Sequence, residues 1–312
     1  MNRLPLRLIL AIICVAALLP ACGDDAPATP AMDSSLPDAS SMTPDASMPS
    51  EDAAPPRMPF AGPSGPSAGC GTAGAMVGKR SATIIAARLE REYIIVVPES
   101  YDPATPIALI FAWHGLGDSA TNFARGLRLE TVTGDDAIIV YPNGRPSVGG
   151  ANGWDLSADG RDVAFFDSVV EEVGSAYCIE TGQIFTTGFS YGGFFSNTLG
   201  CARGDVIRAI APVAASPTVR SGCVGQVAAL VAHGEGDTVV PFSQGETAYR
   251  IWTSRNGCSS ESSPGTPSQC VVQSGCDADY PVWWCTYPGN HTYPSFGPSA
   301  IWSFFSSLTP GP

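Results

Sequence analysis

The sequence predicts an α/β fold: one disulfide-stapled domain over residues 68–312, built on a mainly parallel sheet with helices on both faces. Three observations carry this expectation. Short, continuous apolar runs bounded by Pro or Gly recur along the region, and strands apolar on both sides belong to sheets covered on both faces. Stretches with apolar residues at helical spacing separate those runs, the alternation that builds parallel crossovers. Hydrophobic residues make up 44% of the 312-residue chain and charged ones 14%, so one large core is within reach. The 28 Pro and 34 Gly break the chain too often for a long bundle or coiled coil.

Taken in order, the first strands fall at 93–97 and 107–113. A third follows at 137–141, stopped by Pro142-Asn143-Gly144. Residues 161–177 carry Val163, Phe166, Val170, Val173 and Tyr177 on one helical face, with Asp162 as a cap. A strand at 183–187 and a helix at 194–201 come next. The runs 207–213 and 227–232 are again continuous and apolar. A last strand at 281–286 and an amphipathic helix at 298–308 close the domain. No full dinucleotide fingerprint occurs; Gly192-Gly193 opens a helix without the rest of the glycine set.

Ahead of the domain, Arg3 and Arg7 precede twelve apolar residues, Leu8 to Leu19. A spanning helix needs about 20 such residues, so the run reads as an export signal over residues 1–21. Leu19-Pro20-Ala21-Cys22 resembles a bacterial lipobox, which makes Cys22 the expected lipidation site and the mature N-terminus. Contact with a membrane is expected only through that lipid, on a bacterial membrane, the outer one or the cell surface. Residues 22–67 are dominated by Pro, Ala, Ser and Asp, and such composition reads as a linker.

The net charge of −13, from 16 Lys+Arg against 29 Asp+Glu, argues against a nucleic-acid partner, which needs a basic face. Beyond Cys14 and Cys22 the cysteines are Cys70, Cys178, Cys201, Cys223, Cys258, Cys270, Cys276 and Cys285. An even number in an exported domain predicts disulfides. Proximity suggests that Cys258, Cys270, Cys276 and Cys285 pair among themselves. No metal is expected, because no Cys-x-x-Cys pair occurs.

Gly188-Phe189-Ser190-Tyr191-Gly192 has the pattern G-x-S-x-G between a predicted strand and a predicted helix. In that setting a sharp turn projects the serine from the sheet and aims the next N–H at a reacting carbonyl. Ser190 is therefore the candidate nucleophile, and the Tyr191 N–H a candidate oxyanion donor. Serine needs a base, and the order for this arrangement is Ser, acid, His. Of the three histidines, His114, His233 and His291, only His291 lies downstream of both Ser190 and a suitable acid. Asp237, just past a glycine turn, is the expected acid, with Glu235 second and Asp205 third. The glycine-containing loop 112–118 should supply the second oxyanion donor, the Leu116 N–H. His114 and His233 are read as residues that shape their loops.

Several motifs then occur in a telling order. They include Gly69-Cys70-Gly71, Arg91-Glu92-Tyr93-Ile94, Pro98-Glu99-Ser100-Tyr101-Asp102-Pro103 and Trp113-His114-Gly115-Leu116-Gly117. Further on come Asp162-Val163-Ala164-Phe165, Tyr177-Cys178-Ile179, Gly188-Phe189-Ser190-Tyr191-Gly192-Gly193, Asn256-Gly257-Cys258 and Gly289-Asn290-His291-Thr292. Over nearly all of residues 68–308 the chain resembles the carbohydrate-esterase family 1 feruloyl esterases and related poly(3-hydroxybutyrate) depolymerase-like esterases. The resemblance implies an α/β-hydrolase fold, no cofactor, and a triad on Ser190, Asp237 and His291. It also implies a pocket lined by Asn152-Gly153-Trp154-Asp155, with Trp154 placed to stack on an aromatic acyl group. Cys270 and Cys285 depart from the family pattern and read as extra staples. The expected substrate is a feruloyl ester of plant polysaccharide. Acetyl or short hydroxyalkanoate esters are the alternative, and a catalytically silent surface-binding protein is the non-enzyme reading.

Overall fold

A computed structural model describes residues 64–310. The expected signal, Cys22 and the linker up to residue 63 lie outside the described residues. The chain begins with β1 (Gly78–Ala86), β2 (Leu89–Val97), β3 (Ile107–Trp113), α1 (Ala120–Leu127), α2 (Glu130–Thr133) and β4 (Ala137–Pro142). A small hairpin of β5 (Arg145–Pro146) and β6 (Asn152–Gly153) leads to α3 (Arg161–Ala176), β7 (Ile179–Phe189), α4 (Tyr191–Ala202) and β8 (Ala209–Val213). The last elements are β9 (Ala228–Gly234), α5 (Phe242–Arg255), β10 (Ser262–Pro264), β11 (Cys270–Gln273), β12 (Val282–Tyr287) and α6 (Gly297–Ser306).

Ten strands form one sheet in the order β1-β2-β4-β3-β7-β8-β9-β12-β11-β10. The central strands β4, β3, β7, β8, β9 and β12 run parallel, and both flanks are antiparallel. The expected fold class is borne out. Strand β3 shows why its run is apolar throughout. Leu109, Phe111 and Trp113 point into a core shared with Val163, Phe166, Phe195 and Trp252 of α3, α4 and α5. Their neighbours Ala108, Ile110 and Ala112 point to the opposite core, closed by Phe123 and Leu127 of α1 and by Ile301 and Phe304 of α6. Successive side chains of a strand face opposite ways, so both faces must be apolar.

The structure departs from the sequence reading in places. Strand β1 was not foreseen, because it is a flank strand whose residues up to Ile85 are exposed or half-buried. Helix α5 was missed because it is mostly polar and buries only Gly245, Ala248 and Trp252. Helix α4 starts at Tyr191, three residues before the expected start. Residues expected to be linker pair with β7: the Ser67 N–H donates to Ile179 O at 2.9 Å, and the Thr181 N–H donates to Gly65 O at 2.9 Å.

Asp162 does not cap α3, whose N-cap is Gly160. Instead it forms an ion pair with Arg91 at 2.5 Å, both side chains fully buried, and its Oδ2 accepts the Asp155 N–H at 2.6 Å. Burial holds the Arg91 guanidinium below its ordinary range, against the raising effect of Asp162. The pair ties β2, α3 and the segment after β6 together.

Four disulfides link Cys70 to Cys178, Cys201 to Cys223, Cys258 to Cys276 and Cys270 to Cys285. The last two staple the segment around β10, β11 and β12, the pairing group that proximity suggested. Cys270 and Cys285 face each other in register across β11 and β12.

Candidate active site

The C-terminal ends of the parallel strands carry the site. Between β7 and α4, Ser190 sits at φ +52° and ψ −120°, a left-handed conformation that costs a non-glycine residue roughly 1–3 kcal/mol. Its N–H is held by Val213 O at 3.0 Å. The turn is tight enough to demand glycine on both sides. A Cβ on Gly188 would overlap the Gly192 carbonyl, and one on Gly192 would overlap the Trp113 carbonyl.

Ser190 Oγ lies 2.8 Å from His291 Nε2, and His291 Nδ1 lies 2.7 Å from Asp237 Oδ2. A carboxylate only accepts, so Nδ1 carries the proton and Nε2 is left to accept from the serine hydroxyl. Asp237 Oδ1 accepts the N–H groups of Val239 and Val240, each at 2.9 Å. The loops after β9 and β12 interlock through their backbones. The Glu235 N–H donates to Tyr287 O and the Gly236 N–H to Gly289 O, both at 2.9 Å. A Cβ on Gly234 would stand 2.5 Å from Gly289 O and 2.6 Å from Asn290 O, so only glycine allows this approach. Asp237 is buried while Glu235 is exposed. Asp205 lies in the loop between α4 and β8, at the other end of the sheet. Asp237 is thus the acid that meets His291.

The Tyr191 N–H stands at the first position of α4, where the helix offers it no acceptor. The loop after β3 packs against it. A Cβ on Gly115 would stand 3.6 Å from Ser190 Cβ, and the side chains of Leu116 and Tyr191 both close over Gly153. His114 shapes this loop. Its Nδ1–H donates to Gly115 O at 2.7 Å, and its Nε2 accepts the Gly144 N–H at 2.9 Å. Burial lowers its pKa, which favours this neutral form.

Trp154 is a correction to the sequence reading. It is fully buried, stacked on Phe195 and edge-on to Trp113, and its Nε1–H donates to His114 O at 2.8 Å. An indole that fills the core under the loop has no face to offer an acyl group. The rings beside the triad are others. A cleft of about 310 Å³ is lined by Asp118, Phe123, Leu127, Phe189 and Tyr293, among others. The Phe189 ring lies 4.9 Å from the His291 ring and 6.0 Å from that of Tyr293. Phe189 and Tyr293 were legible as neighbours of Ser190 and His291; Phe123, on the unforeseen α1, was not. Among the described residues, no group of three or more His, Cys, Asp or Glu is arranged to hold a metal ion.

The parallel sheet, the strained serine turn and the histidine between serine and carboxylate define an ester hydrolase of the α/β-hydrolase fold. No family model matches the chain. It is 36% identical over 236 residues to a probable feruloyl esterase C of Aspergillus flavus, covering 69% of this chain and 84% of that protein. Feruloyl esterase D of Neurospora crassa is 31% identical over 266 residues, or 76% of this chain and 89% of the relative. Among solved structures, an acetyl xylan esterase from Aspergillus awamori matches with a TM-score of 0.57 at 15% identity, over 73% of this chain and 99% of that one. The feruloyl esterase module of Clostridium thermocellum, complexed with sinapinate, matches with a TM-score of 0.53 at 15% identity, over 74% and 88%. At such identities the structures speak to the fold alone. The chain belongs to the feruloyl esterase family.

Proposed function

We propose that the protein hydrolyses feruloyl and related hydroxycinnamoyl esters of plant polysaccharide through an acyl-enzyme on Ser190. The observation that carries this reading is the unbroken hydrogen-bonded line Ser190–His291–Asp237 opening beside an aromatic-lined cleft. Ser190 Oγ attacks the ester carbonyl carbon while His291 Nε2 takes its proton. The N–H groups of Tyr191 and Leu116 receive the oxyanion, one such donor being worth about 3 kcal/mol. The C–O bond to the sugar then breaks, and His291 returns the proton to the departing alkoxide. Water attacks the acyl-enzyme, His291 takes a proton from it, and the acid leaves as Ser190 regains its hydrogen. Asp237 holds the His291 tautomer and stabilises the imidazolium without taking the proton. The reaction calls on no cofactor.

The three rings of Phe123, Phe189 and Tyr293 favour a planar aromatic acyl group over an acetyl or hydroxybutyryl one. One aromatic contact is worth about 1 kcal/mol, or about fivefold. Methyl ferulate should therefore show a higher kcat/KM than hydroxybutyrate oligomers or methyl acetate, and Tyr293→Leu should reduce that preference about fivefold. Efficient hydrolysis of the oligomers with no turnover of methyl ferulate would move the assignment to the hydroxyalkanoate esters.

We further propose export and lipid anchoring at Cys22. The four disulfides suit an oxidising compartment. Cys22→Ser should release the protein from the membrane fraction or block its processing. A variant that fractionates and migrates like the parent would refute the anchor.

A further inference from the structure

Asp237 has a second imidazole beside it. His233, at the end of β9, is fully buried. Its Nε2 lies 2.9 Å from Val240 O and 3.4 Å from Asp237 Oδ2. A carbonyl oxygen only accepts, so the proton of this ring sits on Nε2, bonded to Val240 O with Asp237 Oδ2 close by. The other nitrogen, Nδ1, is buried without a hydrogen-bond partner. Helix α5 seals that edge of the ring: a Cβ on Gly245 would overlap Nδ1, and Phe242 stands edge-on at 6.0 Å.

We propose that His233 is a positioning residue for the triad acid. It would act as a permanently neutral donor whose single N–H, shared between Val240 O and Asp237 Oδ2, fixes the 237–240 turn and the plane of the carboxylate. This inference rests on the triad proposed above. The turn is closed on itself: Asp237 Oδ1 accepts from Val239 and Val240, and His233 takes the carbonyl of that same Val240. One imidazole therefore restrains the oxygen that faces His291 and the far end of the turn together.

Neutrality follows from the surroundings. The titratable groups acting on the ring are Asp237 on its own loop and His291 beyond that carboxylate. Helix α5 presents Phe242 and Gly245, neither of them charged. Burial lowers the His233 pKa more strongly than Asp237 raises it. A charged ring here would compete with the His291 imidazolium for the same carboxylate oxygen far more strongly than a neutral donor does.

The sign of the effect is defined. Removing the donor takes a hydrogen bond from the Asp237 carboxylate, which then binds positive charge more strongly. The imidazolium at His291 is favoured, so activity is lost at a higher pH on acidification. His233→Phe keeps the volume and removes the N–H, whereas His233→Gln restores an N–H near the position of Nε2. With 4-nitrophenyl acetate as substrate, which does not depend on the feruloyl assignment, His233→Phe should lower kcat about tenfold with KM within about twofold. The acid limb of its kcat/KM profile should move up by about half a pH unit. His233→Gln should recover most of both. In the parent protein with ¹⁵N-labelled histidine, His233 should show the Nε2–H tautomer at neutral pH and lose it only below the ordinary histidine range.

Parent-like kinetics in His233→Phe would overturn the proposal. So would a rate loss that Gln does not rescue, a fall in kcat with an unmoved acid limb, or a His233 signal of the Nδ1–H tautomer or of a ring charged at neutral pH. The spectrum decides the matter even if a variant fails to fold. Failure of the triad itself would show separately, as turnover surviving in Ser190→Ala.

Discussion

Ser190→Ala should lower the kcat for ester hydrolysis by about 10⁶-fold, and His291→Ala by a similar factor. The two groups act as one unit: without the base the hydroxyl is a poor nucleophile, and without the hydroxyl the base has nothing to activate. The double variant should therefore be hardly slower than either single one. Both changes remove partly buried polar groups at the mouth of the sheet and leave both cores intact, so melting temperature should change little. Circular dichroism and thermal melting of the purified variants separate loss of chemistry from loss of folded protein. Near-normal turnover in a folded His291→Ala variant would remove His291 from the mechanism.

Asp237→Asn should lower kcat by about 10⁴-fold, while Glu235→Gln should stay within about twofold of the parent. The amide can turn its NH₂ toward His291 and force the ring into the tautomer with Nδ1 unprotonated, leaving Nε2 occupied and unable to accept from Ser190. Asp237 is also the residue that the Val239 and Val240 N–H groups grip, so the geometry survives while the proton is misplaced. Glu235 contributes only its backbone N–H to Tyr287 O, with its side chain exposed. The same esterase assay on both purified variants checks the pair, and the reverse order of losses would transfer the acid to Glu235.

The parallel core was legible because both faces of β3, β4, β8 and β9 are buried, which forces continuous apolar runs. Ser190 and His291 stood out because the serine turn imposes glycines by steric necessity and histidines are few. Asp237 already ranked ahead of Glu235 by its place past the glycine turn, and in the fold burial separates the two. A tryptophan next to a site has the same one-letter code whether it faces substrate or core, and at Trp154 the Trp113 and Phe195 rings and the His114 carbonyl consume every face of the indole. Of the acyl-side rings, Phe189 ends β7 beside Ser190 and Tyr293 follows His291 in the chain, whereas Phe123 comes from α1, and only the fold brings it to the other two.

The way the chain joins β7 decides how the protein can be handled. Gly65 and Ser67 are pinned beside Thr181 and Ile179, at the start of an eleven-residue strand whose other end precedes Ser190. At about 3.3 Å per residue, those two ends stand roughly 33 Å apart. A bead, fusion partner or electrode coating coupled ahead of residue 64 would grip the molecule at the rim of the sheet remote from the serine. Immobilised enzyme prepared this way should retain access for bulky polymeric esters, whereas coupling through the α1 surface would shield the cleft.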